Sequence, residues 1–182
     1  MSKFGVLPPW VVLDPLLRGW LLEDIGRGDR TTNSLLSEDV TAGTAKWVAK
    51  APGIIAGLPV AARVFELLNE KVSFEAVVAD GTRCEPGQVI AEIHGSLDAL
   101  LMGERVALNL AMGLSGISTL THIYVEQIAD LPAQLVDTRK TTPGLRLLEK
   151  YATAVGGAMN HRMGLDDAVM IKDNHIAAAG GI

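Results

Sequence analysis

Apolar positions along the chain fall into alternating helix-like and strand-like runs. Between Pro15 and Ile25, Leu16, Leu17, Trp20, Leu21, Leu22 and Ile25 recur at helical spacing with Arg18 and Glu23 among them. This predicts an amphipathic helix that Gly26 and Gly28 end. Ala42 to Ala51 and Gly53 to Gly57 read as strands around a Pro52-Gly53 turn. Val60, Ala61, Val64, Phe65, Leu67 and Leu68 predict one face of a helix over Val60–Asn69. Strands are predicted at Val72–Ala79 and Val89–Ile93, with turns at Asp80-Gly81 and Glu85-Pro86-Gly87.

From Ser96 to about Asp130 the period becomes helical again, carried by Leu97, Leu100, Leu101, Val106, Leu108, Leu110 and Leu114. Gly113 and Ser115-Gly116 are expected to break or kink this helix. Beyond Pro132 the pattern predicts a strand at Gln134–Val136 and a helix from Pro143 to about Val155, with Thr142 as its N-cap and Gly156-Gly157 as its end. A second strand is predicted at Ala168–Ile171. The three elements make a βαβ unit with a right-handed crossover. Two strands cannot close a barrel, and an open pair leaves its edges unpaired.

Both predicted strands stop at charge. Leu135-Val136 runs into Asp137-Thr138-Arg139-Lys140-Thr141-Thr142-Pro143-Gly144, and Ala168–Ile171 runs into Lys172-Asp173-Asn174-His175. In α/β barrels the carboxyl ends of strands carry the chemistry. Two cationic strand ends in succession suit an anionic ligand, with carboxylates or phosphates as the target groups.

The bulk properties narrow the class. Hydrophobic content of 48% with 20% charged residues is that of a globular protein. A net charge of −5 argues against a general nucleic-acid binder. Phe4, Trp10, Trp20 and Trp47 are scattered and form no stacking platform for single strands. Cys84 has no cysteine partner and reads as a small packing residue. The N-terminal segment has Lys3, but Pro8, Pro9, Asp14 and Arg18 interrupt its apolar residues, so no signal peptide is evident. No uninterrupted apolar run nears the roughly 20 residues of a membrane span. A cytoplasmic location, with no membrane partner, is the expectation.

Three ordered blocks carry a resemblance: Asp137 to Arg146, Asn160-His161-Arg162-Met163-Gly164-Leu165, and Ile171 to His175. With Glu23 to Asp29, Gly103 to Asn109 and Leu114-Ser115-Gly116-Ile117, the chain closely resembles the quinolinate phosphoribosyltransferase (nicotinate-nucleotide pyrophosphorylase) family. The resemblance implies an N-terminal α/β sandwich domain, residues 1–115 with a bridging helix, followed by the beginning of an open α/β barrel in residues 116–182. It implies phosphoribosyl transfer from phosphoribosyl pyrophosphate to quinolinate with decarboxylation, giving nicotinate mononucleotide on the de novo route to NAD. Mg2+ would accompany the pyrophosphate, and the protein would be a homodimer.

Position by position, Arg105, Thr138, Arg139, Lys140, His161, Arg162 and Lys172 fall where the family binds its substrates. Arg139 and Arg162 suit the two adjacent carboxylates of quinolinate, since a guanidinium can hold a carboxylate in bidentate fashion. Lys140 and Lys172 are the catalytic candidates, supplying compact charge to phosphate and to the transition state. His161 is a candidate hydrogen-bond donor. Arg105 would reach the neighbouring subunit's site, making the site composite. The family is expected to carry roughly a further hundred residues that complete the barrel and hold the metal-binding acids. The chain is therefore expected to be an N-terminal portion, inactive alone, with its metal ligands unassigned.

Each residue also has an ordinary structural role open to it. Arg105 could pair with Glu104, Arg139 and Lys140 could be solvated loop charges, and His161 a structural histidine. Arg146, at helical spacing from Lys150, reads as a solvated helix face, and His94 and His122 as surface or packing residues. Two other functions compete: a non-catalytic dimerisation or binding module, and the molybdenum-transport-associated homologue of the same fold. The second is expected to lack the combined Arg139-Lys140, Arg162 and Lys172 set.

Overall fold

A computed structural model describes residues 6–36 and 41–181. Lys3 and Phe4 lie outside the described residues. Helix α1 (Trp10–Ile25) buries Leu13, Leu17 and Leu21, one side chain per turn. It begins five residues before the predicted start, and Pro15 lies inside it. That proline removes only a first-turn hydrogen bond, to Val11, which is exposed. Leu22, placed on the apolar face by periodicity, is exposed instead. A short α2 (Arg30–Leu35) follows, capped by Asp29, whose Oδ1 accepts from the amides of Thr31 and Thr32 at 3.0 Å.

Three antiparallel strands, β1 (Ala42–Val48), β5 (Val89–Ser96) and β3 (Ser73–Ala76), form a sheet in the order β1-β5-β3. Ala45 and Phe74 flank Ile93 on its two sides. Two shorter strands, β2 (Gly53–Ile54) and β4 (Arg83–Cys84), pair separately. Trp47, Phe65 and Phe74 meet at the heart of this unit with ring centroids 5.4–6.4 Å apart. Cys84 is fully buried, in keeping with a packing role, and burial pushes its thiol pKa up.

Helix α3 (Leu58–Leu68) packs on the long helix α4 (Leu97–Gln127). Gly103 makes that approach possible, since a Cβ there would lie 2.8 Å from the Phe65 ring. Asp80, read from sequence as a turn residue, caps α3 from a distance: its carboxylate accepts from the amides of Gly57 at 2.7 Å and Leu58 at 3.1 Å. Arg63 of α3 donates Nε and a terminal nitrogen to Asp14 of α1 at 2.9 and 2.6 Å. The hydrogen bond to Arg63 holds the Asp14 carboxyl below the usual aspartate range.

The expected break in α4 does not occur: the helix runs unbroken for 31 residues, about 46 Å at the standard rise. Gly113 and Gly116 sit on its open side and cost only propensity. The polar residues beside them bind β2 and its neighbour instead of disturbing the helix. Ser115 Oγ accepts from the Ala56 amide at 3.0 Å, and Thr119 Oγ1 from the Ile54 amide at 2.9 Å. By length and composition α4 could cross a membrane. It is a core helix, packed on α1, α3, β1, β2, β5 and the helix α5 (Arg146–Val155).

After α4 the structure departs furthest from the expected βαβ unit. Around Val136 there is one parallel bridge, to Met159. The Met159 amide donates to Leu135 at 2.9 Å and the Asp137 amide to Met159 at 3.0 Å. The parallel partner is thus the segment directly after α5, and the predicted strand Ala168–Ile171 has no strand pairing among the described residues. The Gly156-Gly157 turn, with Gly157 at φ +103°, sends the chain straight back beside residue 136. Helix α5 also begins later than predicted. Thr142 to Leu145 form a turn closed by the Leu145 amide on the Thr142 carbonyl at 3.0 Å, with Gly144 at φ +84°. A left-handed glycine cannot belong to a helix, so Pro143 stands in a turn and Thr142 is no N-cap. A last helix, α6 (Asp173–Ala179), starts after Lys172.

Candidate functional site at the carboxyl end of the βα unit

The site is built around Asp137, where the bridged strand ends. Its carboxylate accepts from Lys150 Nζ of α5, from the His161 amide at 2.7 Å and from Asn160 Nδ2 at 2.7 Å. The side chains of Asp137 and Lys150 are 6% and 1% exposed. A buried ion pair of this kind is tolerated only when its remaining lone pairs are satisfied, and the two additional donors satisfy them. Asn160 also donates to the Lys150 carbonyl at 2.9 Å. One carboxylate therefore ties the strand, the helix after it and the next loop together.

Beside it lies a cavity of about 280 Å3 lined by Asp137, Thr138, Lys140, Thr141, Glu149, Lys150, Thr153 and Ile117. Thr138 Oγ1 accepts the Lys140 amide at 3.0 Å, which fixes the loop that presents Lys140. Glu149 Oε2 accepts the Thr142 amide at 3.1 Å, closing the far end of the same loop. Arg146 donates Nε to Thr141 Oγ1 at 3.1 Å and a terminal nitrogen to the Met163 carbonyl at 3.2 Å. It thereby joins the loop after the first strand to the loop after the second. It is half-buried, so the expectation of a solvated helix face fails for Arg146, and Lys150, one turn along the helix, is buried.

Two of the seven sequence candidates, Thr138 and Lys140, line the cavity. Arg139, between them, is half-buried, and its Nε has no hydrogen-bond partner among the described residues. His161 is exposed and held through its backbone to Asp137. Its Nδ1 accepts the Arg162 amide at 2.8 Å, leaving Nε2 to carry the proton of the neutral ring as an outward donor. Arg162 donates a terminal nitrogen to the Ala168 carbonyl at 2.7 Å. Lys172 is exposed and lies outside the cavity lining; its amide donates to His175 Nδ1 at 2.9 Å, so His175 serves the helix turn. Arg105 is exposed on α4 and makes no ion pair with Glu104 or any other described residue. It stands 12 residues from Ile117 of the cavity wall, about 18 Å along the helix axis. His122 pairs with Glu126 at 3.3 Å and His94 meets Thr44 at 3.1 Å, both away from the cavity.

Sequence reasoning missed Asp137, Lys150 and Arg146 as members of this constellation. One signal was available for Lys150: it stands among Leu147, Leu148, Tyr151 and Ala154, on a helix whose apolar side points inward. Tyr151 beside it donates its hydroxyl to Asp80 at 2.8 Å, linking α5 to the cap of α3. Burial, then the charge of Asp80, pushes the Tyr151 phenol pKa up.

Fold and site together define an α/β protein whose lysines and arginines gather where a parallel βα unit ends. Two domain models of one family cover most of the chain: "Quinolinate phosphoribosyl transferase, N-terminal domain" matches residues 29–115 and its C-terminal counterpart residues 117–182. The chain belongs to the quinolinate phosphoribosyltransferase family. It is 60% identical over 176 residues to a probable nicotinate-nucleotide pyrophosphorylase [carboxylating] of Synechocystis, covering 97% of this chain and 59% of that protein. It is 42% identical over 186 residues to quinolinate phosphoribosyltransferase [decarboxylating] 1b of Nicotiana tabacum, covering 100% of this chain and 52% of that one. The fold matches the crystal structure of NadC from Streptococcus pyogenes with a TM-score of 0.92 at 43% identity, covering 98% of this chain and 63% of that one. The chain thus spans about 59% of the length of the Synechocystis relative.

Proposed function

We propose that this chain is part of an enzyme that transfers a phosphoribosyl group from phosphoribosyl pyrophosphate to quinolinate. The pyridine nitrogen bonds to the anomeric carbon as pyrophosphate leaves. The carboxylate next to that nitrogen departs as carbon dioxide, and a proton takes its place, giving nicotinate mononucleotide. The single observation that carries this reading is the cationic loop Thr138–Lys140 set over the cavity beside Asp137, within a chain of this family. Arg139 and Arg162 hold the two carboxylates of quinolinate, and Thr138 and His161 add hydrogen bonds. Lys140 and Lys172 counter the charge of phosphate and transition state.

Magnesium accompanies the pyrophosphate in this proposal. Among the described residues no group of three or more His, Cys, Asp or Glu is gathered to hold a metal ion, so no step is assigned to metal ligands of this chain. A cytoplasmic homodimer belongs to the same proposal, with Arg105 entering the partner's site. Its support is the exposed side of α4, where Arg105, with no ion pair among the described residues, lies near exposed Leu101 and Met112.

Purified full-length protein is assayed for nicotinate mononucleotide formation, and quinolinate binding is followed by calorimetry. Arg139→Ala and Arg162→Ala should each weaken quinolinate about ten- to hundredfold, the loss expected for a charge-assisted hydrogen bond. Unchanged affinity in both variants would make them surface charges. Mixing Arg105→Ala with Lys140→Ala subunits should restore activity through one intact composite site per mixed dimer. No restoration in demonstrated heterodimers would remove the cross-subunit role.

A further inference from the structure

We infer that Asp137 is a positioning residue for anion recognition, acting through the His161-Arg162 segment. This rests on the reading of the site proposed above. His161 is exposed and Arg162 half-buried, in a stretch with no regular secondary structure. What fixes them is a short set of polar bonds: the His161 amide on Asp137, the Arg162 amide on His161 Nδ1 and the Arg162 guanidinium on the Ala168 carbonyl, with Asn160 just before them also bound to Asp137. Asp137 receives the His161 amide on Oδ1, which also takes Lys150 Nζ, and Asn160 Nδ2 on Oδ2. These bonds have charge on at least one side and are correspondingly strong and directional.

The geometry makes the carboxylate specific to the task. Lys150 alone would be neutralised by any buried carboxylate. Only one at the strand end also reaches the two residues preceding Arg162. His161 then passes the constraint on, because its Nδ1 accepts the Arg162 amide at 2.8 Å. The chain of contacts runs from the buried Lys150 through Asp137 to the His161 amide, and from the His161 ring to the Arg162 backbone. A guanidinium must meet a carboxylate in plane to bind it in bidentate fashion, so a shift at residue 161 misaims Arg162. Arg146 holds the other end of the segment at Met163.

Separating positioning from mere stability requires removing the carboxylate without stranding a buried charge. The double variant Asp137→Asn/Lys150→Met does so, since a neutral replacement of a buried ion pair is often harmless to stability. The His161 amide and Asn160 bind different oxygens of Asp137, and an asparagine there has one oxygen and a donating NH2, so it cannot accept from both donors as the carboxylate does. Thermal stability, quinolinate affinity and the proton NMR shift of the His161 amide are measured in full-length protein for this variant, Arg162→Ala and the parent. The expected result is a melting temperature within a few degrees of the parent, about tenfold weaker quinolinate binding, and an upfield shift of the His161 amide. Parent-like affinity in the double variant, with binding weakened in Arg162→Ala, overturns the proposal and leaves the substrate reading intact. Weakened binding in the double variant with parent-like binding in Arg162→Ala also overturns it, because the effect then bypasses the guanidinium. If the parent itself does not bind quinolinate, the substrate reading fails and this inference falls with it. Should the double variant not fold, Asn160→Ala decides instead: Asn160 is exposed, and its loss removes one of the bonds on Asp137. At least a threefold loss of affinity supports the proposal, and an unchanged affinity overturns it.

Discussion

The unit built by α3, the sheets and α4 differs in kind from the segment after α5. In the first, each element buries an apolar face against another: Val60, Val64 and Phe65 of α3, Ile93 of β5, and Val106 and Leu114 of α4 all lie in one core. In the second, Val169 and Ile171 are 92% and 61% exposed, and residues 160–163 are held by hydrogen bonds to Asp137, the Lys150 carbonyl, Arg146, Asp167 and the Ala168 carbonyl. One region is held by the area it removes from water, the other by a few directional bonds. Substitutions should therefore act through volume in the first and through hydrogen-bond geometry in the second.

The largest effect is expected in the aromatic centre. Phe65→Ala should cost about 3–5 kcal/mol, the range for a large buried side chain, and denaturant unfolding measures it. If the loss is under about 1 kcal/mol, this core is not what holds the unit together. Breaking the second region's anchor comes next. Asp137→Ala leaves Lys150 charged and unpaired inside the protein, a cost of about 3 kcal/mol or more. Hydrogen exchange locates the damage: faster exchange at residues 157–163 with α3 and β5 unchanged would sustain the contrast, and uniform acceleration would erase it.

A smaller effect is expected where the two regions meet. Tyr151→Phe removes the hydroxyl that binds Asp80, a loss of about 1 kcal/mol, readable as a lower urea midpoint. Acid should act on the first region through Asp14. Its carboxyl pKa is held down by Arg63, so its contribution is complete above the ordinary aspartate pKa and is lost as pH falls through the lowered value. Asp14→Asn should flatten this part of the acid-unfolding curve, and an unaltered curve would assign the loss to other carboxylates. The smallest effect belongs to the exposed stretch: Val169→Ser should change stability by less than about 0.5 kcal/mol, whereas a large loss would show that residues 168–171 are packed in solution.

Much of the first region was legible in the chain. The apolar period of α3, the Asp80-Gly81 turn and the length of the helix after Ser96 are local properties, and the structure keeps them. The cationic blocks after Val136 and at His161-Arg162 were equally plain, because chemistry-bearing residues cluster along the sequence. Other features depended on partners distant in sequence. Gly113, Ser115 and Gly116 look like helix breakers until Ile54 and Ala56 bond the hydroxyls of Thr119 and Ser115. Asp80 looks like a turn residue until the end of α3 and Tyr151 arrive. Ala168–Ile171 has the composition of a strand, yet a strand needs a neighbour, and residues 158–160 hold the place beside Val136. By itself the sequence determined which segments could be helix or strand and which charges lay at the strand ends, since propensity and periodicity are carried by the residues themselves. The tertiary structure alone decided that Lys150 is buried and that Asp137 joins it to Asn160 and His161, because a charged group can leave water only where the fold has placed its partner.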